Sequence, residues 1–242
     1  MDLSLVIPCY NEGFRIADTI DTVTAYLRRL GKSYEIIIVD DGSGDDTLAK
    51  AKSKAEGRDD IKIITYTPNR GKGNAVREGV LAAEGELIAF TDADLSAPIE
   101  ELDKLLSAID EGAAVAIGSR AVAHSEIVVH QPLYREIGGK CLNLIIQLFA
   151  VPGIRDTQCG FKIFRGAPAK RIFAGSFIDG WGFDIEVLYL ARRMGLRIDE
   201  IPVRWSHGEG SKISPFRAGL QVLKDILRMR LHVYDERTKG NI

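Results

Sequence analysis

Glu86-Leu87-Ile88-Ala89-Phe90-Thr91-Asp92-Ala93-Asp94 reads as a short apolar strand that delivers two carboxylates, one residue apart, at its carboxyl end. Such unbroken apolar runs mark strands buried on both faces, as in parallel sheets covered by helices. In open α/β sheets, ligands gather at the carboxyl ends of the strands. A second run, Glu35-Ile36-Ile37-Ile38-Val39, ends likewise in Asp40-Asp41. Hard oxygen ligands at such positions suit a Mg²⁺ or Mn²⁺ ion bridged to a diphosphate, which makes a nucleotide the expected ligand. The competing reading is structural: Asp94 can open a loop and cap a helix beginning near Pro98.

Around this stretch the first two-thirds of the chain alternates β-branched runs with helical periodicity, the pattern of a mostly parallel sheet flanked by helices. Leu3–Ile7, Tyr34–Val39, Ile61–Tyr66, Leu87–Thr91 and Ala114–Ile117 read as strands. Ile16, Ile20, Val23, Leu27 and Leu30 recur at helical spacing before Gly31, and further helices are expected near Asp45–Glu56, Gly73–Ala83 and Pro98–Asp110. Beyond Arg120 the rhythm is irregular. Helical patterns lie near Glu136–Phe149, Ala167–Phe173, Phe183–Met194 and Phe216–Leu231, with strands at Gln158–Phe164 and Leu196–Trp205. Pro202 interrupts the last of these and argues for an edge or a bulge. The expectation is one α/β domain over residues 1–242, with a nucleotide-binding half (1–120) and an acceptor half (121–242).

The composition sets limits. A chain of 242 residues with 45% hydrophobic content can bury a sizeable core, and a formal net charge of −2 gives no reason to expect nucleic-acid binding. Cys9, Cys141 and Cys159 are widely spaced and odd in number, so neither a disulfide framework nor a zinc site is suggested, and a reducing compartment fits. No basic and apolar leader precedes Leu3, and no run approaches the ~20 apolar residues of a membrane span. The four histidines show no ligand spacing.

Three further segments carry charge at strand ends. Asp40-Asp41-Gly42-Ser43-Gly44-Asp45-Asp46-Thr47 precedes a helix that Asp45 or Ser43 can cap, while Asp40 and Asp41 are placed to accept hydrogen bonds from a base or ribose. It lacks the third glycine of a dinucleotide fingerprint, which argues against a nicotinamide cofactor. Asn69-Arg70-Gly71-Lys72-Gly73-Asn74 opens a helix with two cations and two glycines, suited to phosphate but not a Walker A loop. Gly118-Ser119-Arg120 ends the fifth strand in a guanidinium, and Arg135 follows; arginine suits bidentate phosphate contact.

Taken in order, Val6-Ile7-Pro8-Cys9-Tyr10-Asn11-Glu12, Val39-Asp40-Asp41-Gly42-Ser43, Asn69-Arg70-Gly71-Lys72-Gly73, Asp92-Ala93-Asp94 and Gly118-Ser119-Arg120 resemble the motifs of family 2 glycosyltransferases with the GT-A fold. Asp156-Thr157-Gln158-Cys159-Gly160-Phe161-Lys162, Phe183-Asp184-Ile185-Glu186 and Gly210-Ser211-Lys212 are similar to the dolichyl-phosphate β-glucosyltransferase branch, with dolichyl-phosphate mannose synthases as relatives. The resemblance implies that Pro8, Tyr10, Glu12 and Asp41 line the base and ribose pocket, with Asp40 in support. It implies that Lys72 meets the donor phosphates, that Asp92 and Asp94 bind the metal and sugar nucleotide, and that Ser211-Lys212 closes over the diphosphate. Arg120 and Arg135 match positions implicated in holding an acceptor phosphate. Eukaryotic members of the branch usually carry an N-terminal anchor, which the sequence as given does not show.

The implied reaction is inverting transfer of a hexose, glucose from UDP-glucose by branch resemblance, to a dolichyl or polyprenyl phosphate. The alternatives are GDP-mannose as donor, a saccharide acceptor, or a non-catalytic sugar-nucleotide-binding protein. A phosphate monoester is largely a dianion at neutral pH, so no strong general base is needed. Asp184 and Glu186 are then expected to support structure or position the acceptor. Ile137, Cys141, Leu144, Ile145 and Leu148 form one apolar helical stripe, and Phe216, Leu220, Leu223 and Leu227 another, each bordered by basic residues. They predict peripheral, salt-sensitive attachment to the cytoplasmic face of a membrane.

Overall fold

A computed structural model describes residues 1–127, 142–206 and 215–234. Its centre is a seven-stranded sheet in the order β3-β2-β1-β4-β7-β5-β8. β1 (Leu3–Cys9), β2 (Tyr34–Asp40), β3 (Ile61–Thr65) and β4 (Leu87–Phe90) run parallel, as do β5 (Val115–Ser119) and β8 (Ile198–Pro202). β7 (Lys162–Arg165) enters between β4 and β5 antiparallel to both. One sheet therefore runs through both segments of the chain. Two short strands, β6 (Glu126–Ile127) and β9 (Arg204–Trp205), pair beside it.

The β1 to β5 strands lie where the apolar runs place them, and alternation decides which side chain enters which core. Leu5, Ile7, Ile36, Ile38 and Ile163 point to one face and pack with α1 (Ile16–Leu30), α2 (Thr47–Ala55) and α4 (Leu102–Asp110). Val6, Val39, Phe90, Ile117 and Phe164 point to the other, under α3 (Lys72–Ala82), helical residues 142–149 (α5), α6 (Gly166–Gly175), α7 (Phe183–Arg193) and α8 (Pro215–Leu231). Phe90, Phe164, Phe173 and Phe183 form a contiguous aromatic cluster there, with ring centroids 5.7 to 6.5 Å apart in the contacting pairs. Offset and edge-on contacts of this kind add to the burial they bring.

Two expectations need correcting. Gln158–Phe164 is a strand only from Lys162 onward; Cys159 and Gly160 approach the end of β4 in irregular backbone. Leu196–Trp205 is not one strand either. Pro202 ends β8 on the sheet edge, where its missing N–H leaves no ladder bond unmade, and after Val203 the chain joins β6 as β9. Arg135, Ser211 and Lys212, together with Ile137 and Cys141, lie outside the described residues. The side chains of Phe216 and Arg217 do as well.

Candidate active site

The carboxyl ends of β1, β2, β4 and β5 bring the expected residues to one rim of the sheet. β1 overhangs its neighbour: its last register partner on β4 is Val6 opposite Phe90, leaving Pro8 and Cys9 paired only with β2. Beyond it Tyr10 is half exposed, and Asn11 adopts φ 56°, a left-handed conformation that asparagine tolerates better than most residues. Asn11 is fixed there on both sides, its N–H donating to Ser43 Oγ (2.9 Å) and its Oδ1 accepting from Gly44 N (2.8 Å). Asp45 accepts from the amides of Gly13 (3.0 Å) and Thr47 (2.9 Å), so its role is to join the loops after β1 and β2 and to start α2.

Asp40 and Asp41 are both buried and both bonded. Asp40 accepts from Thr65 Oγ1 (3.0 Å) and, at 3.3 Å, from Ser43 N. Asp41 accepts from Asn69 Nδ2 (2.7 Å), Arg70 N (2.8 Å) and Gly71 N (2.8 Å). Asp41 thus organises the basic loop. A carboxylate offers about four lone-pair sites, so little capacity is left for a base or ribose.

The N-terminus of α3 differs from a free phosphate cradle. The N–H groups of Gly73 (2.7 Å) and Asn74 (3.3 Å) donate to the carbonyl oxygen of Asp179. The glycines are needed for that approach: a Cβ at Gly71 would stand 2.6 Å from Asp179 O, and one at Gly73 2.5 Å from Ile178 O. The close partner of this loop is the 178–180 backbone. Arg77 ties the same segment down through Asp179.

Asp92 and Asp94 are partly open to solvent and face different cations. Asp92 pairs with Lys72, and Asp94 lies 3.8 Å from Arg15, which is 3.1 Å from Glu12. Burial opposes the charge on Lys72, but the carboxylates of Asp92 and Asp184, with Asp94 further off, outweigh it and raise its pKa. Burial also pushes the Glu12 carboxyl up; Arg15 counteracts this, and the negative charges of Asp94 and Asp92 reinforce it. Asp94 also accepts from Ser96 N (2.9 Å), closing a tight turn in which Leu95 takes φ 46°. It does not cap the following 3-10 turn, which begins at Ile99. Gly160 seats against the Asp92 carboxylate so closely that any Cβ would collide with it.

Among the described residues no group of three or more metal-binding side chains gathers. Mg²⁺ is commonly held by one or two carboxylates and completed by phosphate oxygens and water. Asp92 and Asp94, solvent-accessible and side by side at a strand end, fit that donor set, with Lys72 as the cation a metal would displace or join.

On the other side of β4, Arg120 makes a two-pronged pair with buried Asp156, Nε to Oδ2 (2.7 Å) and Nη2 to Oδ1 (2.8 Å), and its backbone N–H donates to Oδ2 (2.9 Å). Burial works against the guanidinium charge, and Asp156, with Asp92 more weakly, outweighs it. Any phosphate contact from the Arg120 side chain is therefore left to Nη1 and the second N–H of Nη2. Beneath lies a sealed pair: Lys162 donates to Asp184 and to Cys159 O (2.5 Å) with its ammonium over Phe90. Burial raises the Asp184 carboxyl pKa despite Lys162 and Lys72. Glu186 accepts from Phe177 N, Ile178 N and Tyr234 Oη, all within 3.1 Å. It anchors the loop that caps α3.

Sequence reasoning missed Arg15 and the carbonyl of Asp179, and it named Asp156 and Lys162 within a motif without giving either a role. Lys162 did leave a signal: a lone cation inside Phe161-Lys162-Ile163-Phe164 must find a buried partner. The Asp179 carbonyl left none.

Charged side chains thus gather at the carboxyl ends of an α/β sheet, where ligands of such sheets bind, and the likenesses to known proteins give the class. The glycosyl transferase family 2 profile matches residues 4–173, and the chain belongs to that family. It is 38% identical to a human dolichyl-phosphate beta-glucosyltransferase, covering 95% of this chain and 75% of that protein. The Drosophila melanogaster enzyme of the same name is 37% identical over 93% of this chain and 73% of its own length. Among solved structures, glucosyl-3-phosphoglycerate synthase from Mycobacterium tuberculosis with Mn²⁺, UDP-glucose and phosphoglyceric acid superposes with a TM-score of 0.72. It is 19% identical, covering 94% of this chain and 79% of that one, and shares the GT-A fold. The same enzyme with Mg²⁺ and UDP gives 0.69 at 17% identity, again covering 94% of this chain and 79% of that one.

Proposed function

We propose that this family 2 glycosyltransferase moves glucose from UDP-glucose to a dolichyl or polyprenyl phosphate, inverting the anomeric centre. The observation that carries the reading is the pairing of Asp92 with Lys72 and of Asp94 and Glu12 with Arg15 on one rim. The names of the 37–38% identical relatives support the sugar and the acceptor. A lipid phosphate oxygen attacks C1 of the hexose, the bond from C1 to the diphosphate breaks, and UDP leaves.

Pro8, Tyr10, Glu12 and Asp41, with Asp40 behind them, frame the base and ribose side. Asp41 acts chiefly by holding the Asn69–Gly71 loop in place. Asp92 and Asp94 would hold Mg²⁺ or Mn²⁺, which when bound supplies Lewis-acid neutralisation of the leaving diphosphate. Lys72 adds a fixed positive charge beside the same diphosphate. Ser211 and Lys212 are assigned to cover it. Arg120, steadied by Asp156, and Arg135 hold the acceptor phosphate, whose dianion needs no base. Asp184 then serves as the counter-charge of Lys162 rather than as a proton acceptor.

The acceptor's apolar tail stays in a bilayer, so the protein must reach the surface. Among the described residues no helix is long and apolar enough to cross a membrane. Leu144, Leu148 and Phe149 on α5 and its end, and Leu220, Leu223, Leu227 and Leu231 on α8, are exposed, and Arg230 of α8 donates to Phe149 O (2.6 Å). Joined apolar ridges with basic borders suit peripheral attachment. The test is turnover of UDP-glucose with Mn²⁺ and a polyprenyl phosphate in vesicles. Release of UDP with a glucosylated lipid is expected; release without lipid product, or turnover only with GDP-mannose, overturns the assignment.

A further inference from the structure

Both tryptophans of the chain lie against cations of the candidate site. Trp181 has the Lys72 ammonium 5.2 Å from its ring centroid, and Trp205 has the Arg120 guanidinium at the same distance. Trp181 remains 43% exposed. The backbone on both flanks of this indole is tied to the rest of the fold. Glu186 binds the amides of Phe177 and Ile178. Asp179 caps α3 through its carbonyl and pairs with Arg77 through its carboxylate. Gly182 lies so close to buried Asp225 that a Cβ there would stand 2.6 Å from Oδ2. A large apolar surface is thus kept rigid and wet beside the Lys72–Asp92 pair.

We propose that the Trp181 ring is the platform on which the hexose of the donor stacks. The assignment rests on the reading above, in which Asp92 receives the diphosphate. The hexose is bonded directly to that diphosphate, so it must lie beside Asp92 and Lys72, where the indole stands. A hexose needs an apolar partner for its C–H face and charged partners for its hydroxyl rim. Trp181 offers the first, and Lys72, whose ammonium lies over the ring, offers the second together with its partner Asp92. The base is excluded from this position because its side of the rim, after β1 and β2, lies beyond Asp92. The acceptor phosphate is drawn instead to Arg120, which has its own indole in Trp205. A gluco ring carries its hydroxyls equatorially and presents C–H faces to such a surface. The galacto epimer raises one hydroxyl on one face only and can stack through the other, so the platform holds the hexose without choosing between these epimers.

The experiment compares wild type with Trp181→Ala and Trp181→Phe, each in a Trp205→Phe background, so that in the first chain Trp181 is the sole indole reporter. Calorimetry with UDP, UDP-glucose and UDP-galactose gives affinities, and steady-state assays give kcat/KM. Expected for Trp181→Ala is a loss of about tenfold in the affinity of both UDP-glucose and UDP-galactose. UDP affinity should stay unchanged, and Trp181→Phe should restore most of the loss. UDP-glucose, but not UDP, should change the fluorescence of the single-indole chain. A parallel fall in UDP affinity, or a defect confined to the KM of the lipid phosphate, overturns the platform. Equal UDP-glucose binding by Trp181→Ala and wild type overturns it too, while leaving the proposed reaction standing. A wild-type chain that binds no UDP-glucose overturns the proposed reaction and this assignment together.

Discussion

Two lysine–aspartate pairs, Lys162–Asp184 and Lys72–Asp92, share the field of one carboxylate in this fold and differ in their access to solvent. Lys162 and Asp184 are sealed, with side chains 0% and 3% exposed, in the aromatic core between β7 and α7. Lys72 and Asp92 are open, at 15% and 35%, on the rim above. The Asp184 carboxylate acts on both lysines. A sealed pair has no other partner to take, and loss of one member would leave the other as an uncompensated buried charge between β7 and α7. An open pair can trade partners with a diphosphate or a cation. The same chemistry thus suits a scaffold where it is sealed and, in the function proposed above, a site where it is open.

The largest effect that would sharpen this contrast is expected from the neighbour of the open pair. Asp94→Ala should lower turnover by at least about 100-fold, with melting temperature nearly unchanged and residual turnover indifferent to EDTA. Turnover near wild type, read by UDP release, would remove Asp94 from the site. Next come the two lysines themselves. Lys162→Met leaves Asp184 uncompensated in the core and should destabilise the fold by about 3–5 kcal/mol in denaturant titrations. Lys72→Met should cost at least about 2 kcal/mol less in stability, yet lower turnover roughly tenfold or more. Equal stability losses would erase the distinction between scaffold and site.

How much of this the sequence disclosed follows from the range of the interactions. The β1 to β5 strands, and Asp92 and Asp94 at a strand end, were readable because periodicity and strand-end chemistry are local. That β7 lies antiparallel between β4 and β5 was not, since pairing order is decided by contacts some 75 residues apart in sequence, as with Ile88 and Phe164. The phosphate cradle expected at Gly71-Lys72-Gly73 was read from glycines that in fact admit the 178–180 backbone. A carbonyl has no residue-type signature, so this partner could not be foreseen. Arg120 was singled out for its charge, but its hold on Asp156 depends on a loop that follows it by 36 residues.

Two smaller effects probe α8, which borders both regions. Leu227 is exposed on its apolar ridge, so Leu227→Glu should lower the ratio of bound to free protein in flotation with anionic liposomes about tenfold, leaving donor affinity intact. Unaltered flotation would detach α8 from the membrane role. On the inner side, Asp225 is buried against Gly182, and burial raises its pKa, offset in part by Gln221 and Arg228. A carboxyl raised on folding stabilises the native state while protonated and loses that contribution as pH rises through the folded pKa. Asp225→Asn should therefore show a flatter stability curve above about pH 4, converging with wild type below it. Curves of identical slope in urea titrations across that range would show that Asp225 ionises on the native protein as it does on the unfolded chain.

The placement of β7 also sets an order of events while the chain is being made. Until Arg165 has emerged, β4 and β5 each face a gap with an unpaired row of backbone N–H and C=O groups, and β4 is almost wholly apolar. Such edges invite pairing with other chains. The nascent protein must therefore carry a half-open sheet through the synthesis of more than forty residues after β5, so that its yield in a cell is set by how well that gap is shielded as much as by the stability of the finished fold.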